Sequence, residues 1–282
     1  MEYIIELFKL TQSFQEKEVL KGIDLKVEQG EIIGLLGPSG AGKTTMIKIL
    51  TGQLHPTSGS AKLLGKDTCK LNQEIYKRIG MMLDNFGLYE RLTVYDNLLL
   101  FARLYELPKE RIPKVLQQVG LAEARKRVVS KLSKGMRGRL ALARAVLHEP
   151  DILFLDEPTT GLDPSTAEEI HQLIRKEQER GATVFLTTHN MAEAEKLCNH
   201  VVLLHEGTIV EYGEPEEVCR RYNHQNKLLI RLHNGTNLEL ANDHTSADAV
   251  RNYLEAEELE TIHTSEPNLE TVFMELTGRG LE

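Results

Sequence analysis

No apolar stretch of this 282-residue sequence approaches the roughly 18 to 20 residues needed to cross a bilayer. The opening Met1-Glu2-Tyr3-Ile4-Ile5-Glu6 also lacks the basic start and apolar run of a secretory leader. These absences read as a soluble, intracellular protein whose membrane role, if it has one, passes through a partner. Cysteine is scarce: Cys69, Cys198 and Cys219 are odd in number, far apart and without C-x-x-C spacing. That argues against a disulfide framework or a zinc site, and buried or idle thiols are expected. Positive charge is outweighed, and the formal net charge of −8 disfavours general affinity for nucleic acid. The balance is uneven, however. Eleven Lys or Arg stand against three Glu between Arg103 and Arg139, whereas eight Glu stand against one Arg from Asn252 onward. Solvated helical faces account for such runs, although Lys134, Arg137 and Arg139 lie where positive potential would assist an anionic ligand. With 41% hydrophobic and 27% charged residues, the chain has enough material for one large domain and an appendage.

Residues Gly37-Pro38-Ser39-Gly40-Ala41-Gly42-Lys43-Thr44-Thr45 match G-x-x-x-x-G-K-[ST] and follow the apolar run Ile32-Ile33-Gly34-Leu35-Leu36. In strand-loop-helix context this pattern is a phosphate-binding loop. Glycines let backbone N–H groups turn inward around phosphates, and the following helix offers its positive end. Lys43 then reaches the terminal phosphates, and the Thr44 hydroxyl is suited to Mg²⁺. The implied ligand is a nucleoside triphosphate; an ordinary glycine-rich turn is the plain alternative.

A second apolar run, Asp151-Ile152-Leu153-Phe154-Leu155-Asp156-Glu157, reads as a buried parallel strand ending in two carboxylates. Ligands of open α/β sheets sit at the carboxyl ends of strands, so this pair should share a crevice with the phosphate loop. Asp156 suits Mg²⁺, directly or through water, and Glu157 is placed to polarise a water attacking the γ-phosphate. A solvated Asp-Glu turn before Pro158 is the alternative.

The fold expected is α/β. Short strands around Tyr3–Leu10, Gly22–Glu28 and Glu31–Leu36 are expected to form an N-terminal antiparallel layer. Helical periodicity in Thr93–Leu104 and Pro113–Val119 marks an inserted helical subdomain at about residues 90–145. Strand and helix then alternate from Ile152 to Tyr212, which implies a mainly parallel, doubly wound sheet. Past Gly213-Glu214-Pro215 a separate unit, residues 216–282, shows an Asn-Gly hairpin signal at His233-Asn234-Gly235-Thr236.

Inside the helical insertion lies Leu132-Ser133-Lys134-Gly135-Met136, followed by Arg137-Gly138-Arg139-Leu140-Ala141-Leu142-Ala143-Arg144-Ala145. Ser133 can cap the helix beginning beside Gly135, so that a hydroxyl, a bare N–H and a helix N-terminus converge on one anion. A cap with no ligand is the alternative. Met136, Leu140, Ala143 and Leu147 recur at helical spacing and are expected to face the core. This stretch resembles the L-S-G-G-Q signature of ABC-type ATPases. The order of phosphate loop, signature, Asp-Glu strand, Gly161-Leu162-Asp163 and Thr188-His189 is similar to that family's nucleotide-binding domain over about residues 1–215.

The resemblance implies ATP and Mg²⁺ as ligands and a head-to-tail pair of ATPase subunits. Ser133 and Gly135 of one subunit would close over ATP held by the other. It places Asp163 across the dimer, although a helix cap before Pro164 accounts for that residue equally well. It implies that His189 touches the γ-phosphate and that Phe14 stacks on adenine, a core phenylalanine being the competing account. Two departures stand out: the signature has Lys134 for Gly and Met136 for Gln, and Asp84 replaces the Gln of another loop. An acidic residue there resembles the bacitracin and lantibiotic exporters, with Asp84 approaching Mg²⁺ or the attacking water; a solvated turn residue is the alternative. The ending Pro267–Gly278 is similar to the extension of drug-export ATPases whose permeases are separate chains. The expectation is an ATPase subunit peripheral on the cytoplasmic face of the membrane, working with a transmembrane permease and not with nucleic acid. A soluble ABC ATPase acting on ribosomes or DNA, and a nucleotide-gated module without turnover, remain as rivals.

Overall fold

The computed structural model describes residues 3–83, 87–224, 226–265 and 267–278. Asp84 therefore lies outside the described residues. One compact unit runs through Glu214 and a second begins at Pro215.

The first unit opens with β1 (Tyr3–Phe14) and β2 (Lys17–Glu28), an antiparallel hairpin. In β2 the buried Leu20, Ile23, Leu25 and Val27 are separated by charged Lys21, Asp24, Lys26 and Glu28. This near-alternation is that of a sheet with one face on the core. Next come β3 (Ile32–Leu36), α1 (Lys43–Leu50), β4 (Ser58–Leu63), β5 (Lys66–Asp67), α2 (Gln73–Tyr76) and β6 (Ile79–Met82). The helical stretch holds α3 (Val94–Leu104), α4 (Arg111–Gln118) and α5 (Lys134–Val146). Alternation resumes with β7 (Ile152–Asp156), α6 (Pro164–Glu179), β8 (Thr183–Thr188), α7 (Met191–Leu197), β9 (His200–His205) and β10 (Thr208–Gly213).

Two sheets result, in strand orders β2-β1-β4-β5 and β10-β9-β3-β8-β7-β6. The second is parallel from β9 to β6, and every residue of β3, β7 and β8 is buried. Continuous burial requires apolar side chains on both faces of the strand, which these runs supply. That is why Glu31–Leu36 does not join the N-terminal antiparallel layer, as expected from its position in the chain. It enters the middle of the parallel sheet as β3, and the antiparallel layer is completed instead by β4 and β5. The parallel pattern also stops short of Tyr212. Only Glu206 and Gly207, both at positive φ, join β9 to β10, so the two strands can pair only as a hairpin.

Because β3, β8 and β7 are neighbours, the segments leaving their carboxyl ends emerge side by side: the phosphate loop, His189 and Glu157. This edge is where open α/β sheets bind ligands. Leu140 and Ala143 of α5, and Leu147 just beyond it, are fully buried. Met136 is not in the core as the spacing predicted; it is half-buried one turn into the helix, with Arg127 against its sulfur.

The second unit contains α8 (Pro215–Arg221), β11 (Lys227–Leu232), β12 (Asn237–Ala241), α9 (Ala247–Glu255), β13 (Leu259–Thr264) and α10 (Leu269–Thr277). Its antiparallel sheet has the order β12-β11-β13, with Gly235 at φ 86° in the expected hairpin turn. Among the described residues, Val218, Ile230, Leu232, Leu269, Val272 and Phe273 are buried in it.

Candidate active site

Two glycines of the phosphate loop, Gly37 and Gly42, cannot take a side chain without movement. A Cβ on Gly37 would stand 2.2 Å from the Leu204 carbonyl oxygen. One on Gly42, at φ 114°, would stand 2.7 Å from Leu20 Cδ2 and 3.1 Å from the Val19 oxygen. Ala41 N–H donates back to the Pro38 carbonyl at 3.2 Å, closing the loop. Gly42 caps α1 with no side-chain hydrogen bond, and the first turn carries no acidic residue. The N–H groups and positive dipole end of α1 are thus left for an external anion.

Lys43 is 9% exposed, its ammonium donating to the carbonyls of Gly37 and Pro38 and standing 3.9 Å from Glu157 Oε1. Thr44 donates from its hydroxyl to Asp156 Oδ2 at 3.4 Å, while Thr187 donates to Asp156 Oδ1. A hydroxyl and a carboxylate this close form an all-oxygen donor set, the kind Mg²⁺ takes alongside phosphate oxygens. The residues present therefore fit that ion. Glu157 follows at φ 51°, an uncommon left-handed position for a side chain larger than glycine. Its backbone N–H donates to the Thr187 carbonyl at 3.1 Å. Its carboxylate Oε2 accepts from Thr160 at 2.8 Å and from His189 Nδ1 at 2.7 Å.

Pro38, Ser39, Gly40, Gly42, Lys43, Thr44, Thr45, Asp156, Glu157 and His189 all line one cleft of about 670 Å³, joined by Lys17 and Val19. Ten residues read from the sequence as one site thus converge. Phe14 is 47% exposed at the end of β1, which sets aside the core account for it. A larger concavity of about 850 Å³ lies between the antiparallel layer and the β9–β10 edge of the other sheet. Among its groups, Lys26 lies over the Tyr3 ring, and His200 pairs with Glu31. The smaller cleft carries the convergent chemistry.

The signature residues are differently employed. Ser133 caps α5, its hydroxyl oxygen accepting from Met136 N–H at 3.2 Å. Its own O–H remains available to donate. A Cβ on Gly135 would meet Thr166 Cγ2 at 2.8 Å. Thr166 is in turn bonded through both N–H and hydroxyl to Asp163, at 3.0 and 2.7 Å. Asp163 is therefore the N-cap of α6, with Pro164 at the first helical position, as the cap reading has it. Hydrogen bonds from Thr166 hold its carboxyl below the usual range. Arg137 pairs with Glu90 and Arg139 with Glu169. Of the thiols, Cys198 is buried and its pKa raised by that burial, Cys219 is half-buried, and Cys69 is exposed.

Thr160 and Thr187 escaped the sequence reading. Thr187 faces Asp156 only through parallel register between β7 and β8. Thr160 carried a local signal, lying three residues beyond Glu157 with a hydroxyl able to reach back.

An α/β core with a phosphate loop, an acidic strand end and a histidine at the neighbouring strand end defines a nucleoside triphosphatase. A family model described as ABC transporter matches residues 20–160. Fluoroquinolones export ATP-binding protein of Mycobacterium tuberculosis is 40% identical over 270 residues, covering 93% of this chain and 88% of that one. Bacitracin transport ATP-binding protein BcrA of Bacillus licheniformis is 41% identical over 213 residues, 75% of this chain and 70% of its own length. Among solved structures, the ATP-binding subunit of an ABC transporter matches at TM-score 0.71 and 29% identity, covering 78% of this chain and 93% of that one. A dimeric ATP-binding cassette in a post-hydrolysis state with ADP and Pi matches at TM-score 0.68 and 28% identity, over 74% and 98%. The chain belongs to the ABC transporter family, as an ATP-binding subunit that hydrolyses ATP.

Proposed function

We propose that the chain drives export through a separate transmembrane permease, bound to the cytoplasmic face of the membrane as one of a pair of ATPase subunits. Among the described residues no helix is long and apolar enough to cross a membrane. Relatives named for fluoroquinolone export and bacitracin transport support a drug-like or peptide-antibiotic cargo.

The observation carrying the hydrolytic part is the Glu157–His189 pair at 2.7 Å, in the cleft lined by Lys43 and Thr44. Loop N–H groups and Lys43 bind and neutralise the triphosphate. Thr44 and Asp156 would hold Mg²⁺, which supplies further charge neutralisation at the phosphates. Glu157 accepts the proton of the attacking water. His189, donating from Nδ1, and Thr160 fix its carboxylate in that direction. Ser133 and Gly135 of one copy would face the triphosphate held by the other, with Asp163 near the shared boundary. ATP then bridges the closed pair, and hydrolysis removes the bridge.

Gentle solubilisation of membranes tests this reading. The expected result is recovery of the chain with a transmembrane protein that changes its ATPase rate. Recovery only with ribosomes or chromosomal DNA, or ATP binding with no turnover alongside the copurified protein, overturns it.

A further inference from the structure

Glu193 is a carboxylate 4% exposed in the first turn of α7, outside the set of groups lining the nucleotide cleft. Burying a charge is costly unless several donors compensate it. Here one oxygen, Oε1, accepts from Thr159 Oγ1 at 2.6 Å and from His171 Nε2 at 2.8 Å. Its backbone N–H is bonded to the Asn190 side chain at 3.1 Å, and Asn190 N–H to Thr188 Oγ1 at 3.0 Å. Burial raises the Glu193 carboxyl, but hydrogen bonds from His171, Thr159 and Thr188 outweigh it and hold the group below the ordinary carboxylate range.

What Glu193 holds matters more than what it is. Thr159 lies in the turn that follows β7, where Thr160 N–H bonds the Glu157 carbonyl at 3.2 Å and Leu162 N–H bonds the Thr159 carbonyl at 3.0 Å. That turn carries Glu157 in its left-handed conformation, with Thr160 bonded to its carboxylate. On the other side, Asn190 and Thr188 flank His189 directly. His171 comes from α6 and is itself buried, so three elements meet at one oxygen.

We propose that Glu193 is a positioning residue for ATP hydrolysis, clamping the Glu157–Leu162 turn to α6 and to the start of α7 so that Glu157 and His189 meet in the cleft. This rests on the reading of Glu157 as the group that accepts the water's proton. The phosphate loop is built independently of the clamp, so nucleotide binding should be indifferent to it. Misplacing a reacting group by about 1 Å costs turnover up to roughly 100-fold.

The test uses the purified full-length chain. Glu193→Ala should lower kcat about 10- to 100-fold, with KM for ATP and the stoichiometry of bound nucleotide unchanged. Glu193→Gln keeps the Oε1 acceptor and should stay within roughly threefold of the parent. Combined with Glu157→Gln, Glu193→Ala should add no further loss, since residues acting through one another are not additive. Should Glu193→Ala fold poorly, Thr159→Val removes one donor to the clamp and should show the same kcat-only loss, with Thr159→Ser restoring turnover. Unchanged kcat in Glu193→Ala, a matching fall in bound nucleotide, or full additivity with Glu157→Gln overturns the clamp. If Glu157→Gln itself leaves turnover intact, the assignment of Glu157 is what fails, and the clamp proposal goes with it. If Glu157→Gln abolishes turnover while Glu193→Ala does not, the clamp alone fails.

Discussion

Helices α1 and α5 both start at family motifs containing glycine, yet their first turns are in opposite states. The N-terminus of α1 has no side-chain cap and no acid in its first turn, while that of α5 is closed by Ser133. An uncapped helix start is unfavourable by itself and gains its missing partner from an anion. A capped start is already stable within the chain. On the proposed reading the phosphate loop is a site that one chain completes with its substrate. The signature helix is, in one chain, a structural element, and any ligand it serves is brought from outside. The difference explains why the first motif can be interpreted from local chemistry and the second needs a family resemblance to be noticed at all.

The largest expected effect is at the self-contained site. Glu157→Gln keeps shape and hydrogen-bonding capacity but removes the proposed proton acceptor, so kcat should fall about 10²- to 10³-fold. ATP affinity, measured by equilibrium binding, should stay within a few-fold. Loss of binding in step with turnover would mean that Glu157 holds the loop together instead of activating water.

The signature helix is anchored at its far end, and that anchor is sensitive to acid. His148, just beyond α5, bonds the Ile79 carbonyl of β6 at 3.0 Å and stacks on Tyr105 with ring centroids 4.0 Å apart. Burial, reinforced by Arg111 and Arg180, pushes its pKa down to about 4. The unfolded chain, with an ordinary histidine pKa near 6.5, binds the proton first. The resulting stability is present above pH ~6.5 and is lost as pH falls toward ~4, amounting to about 3 kcal/mol over the whole window. Denaturant unfolding at several pH values should show that His148→Gln flattens the acid limb relative to the parent. A slope that is the same in both proteins would move the cause to the carboxylates.

The two motif glycines sharpen the contrast further. Gly42→Ala meets both a positive φ and atoms at 2.7 and 3.1 Å, so it should cost about 2 kcal/mol and weaken ATP binding. Gly135→Ala crowds only Thr166 at 2.8 Å and gains up to ~1 kcal/mol in helix propensity. It should cost less than Gly42→Ala by about 1 kcal/mol in urea unfolding. Equal costs would mean that the signature turn is as tightly constrained as the phosphate loop.

Much of this arrangement was legible in the residues because parallel strands buried on both faces show up as uninterrupted apolar runs. The convergence of Lys43, Asp156, Glu157 and His189 followed from where those runs end. Which sheet a run joins was less visible: Ile32–Leu36 follows two amphipathic strands in the chain, but its two apolar faces place it at the centre of the parallel sheet. Support for the site was least visible. Thr187, Thr159, His171 and Glu193 come from separate elements and meet only through register and helix packing. Each alone reads as an ordinary polar residue. The roles of Asp163 and Ser133 were ambiguous for the opposite reason, since a good cap and a good anion contact call for the same side chains.

Substitution at Ser133 resolves that ambiguity and has the smallest expected effect on the folded chain. Ser133→Ala removes the cap and should cost about 1 kcal/mol of stability, whatever else the residue does. Ser133→Asp is the sharper variant, because Asp caps a helix about as well as Ser and should leave stability within ~0.5 kcal/mol. It places a carboxylate where the paired-subunit reading puts a triphosphate. Nucleotide binding to a single chain, which uses α1, should then be unaffected, while ATP-dependent pairing and turnover fall together. Scattering in Mg·ATP on the Glu157→Gln background, with and without Ser133→Asp, reads the pairing directly. If the doubly substituted chain still pairs as the singly substituted one does, Ser133 is a cap and nothing more, and the two helix starts differ only in what completes them within the chain.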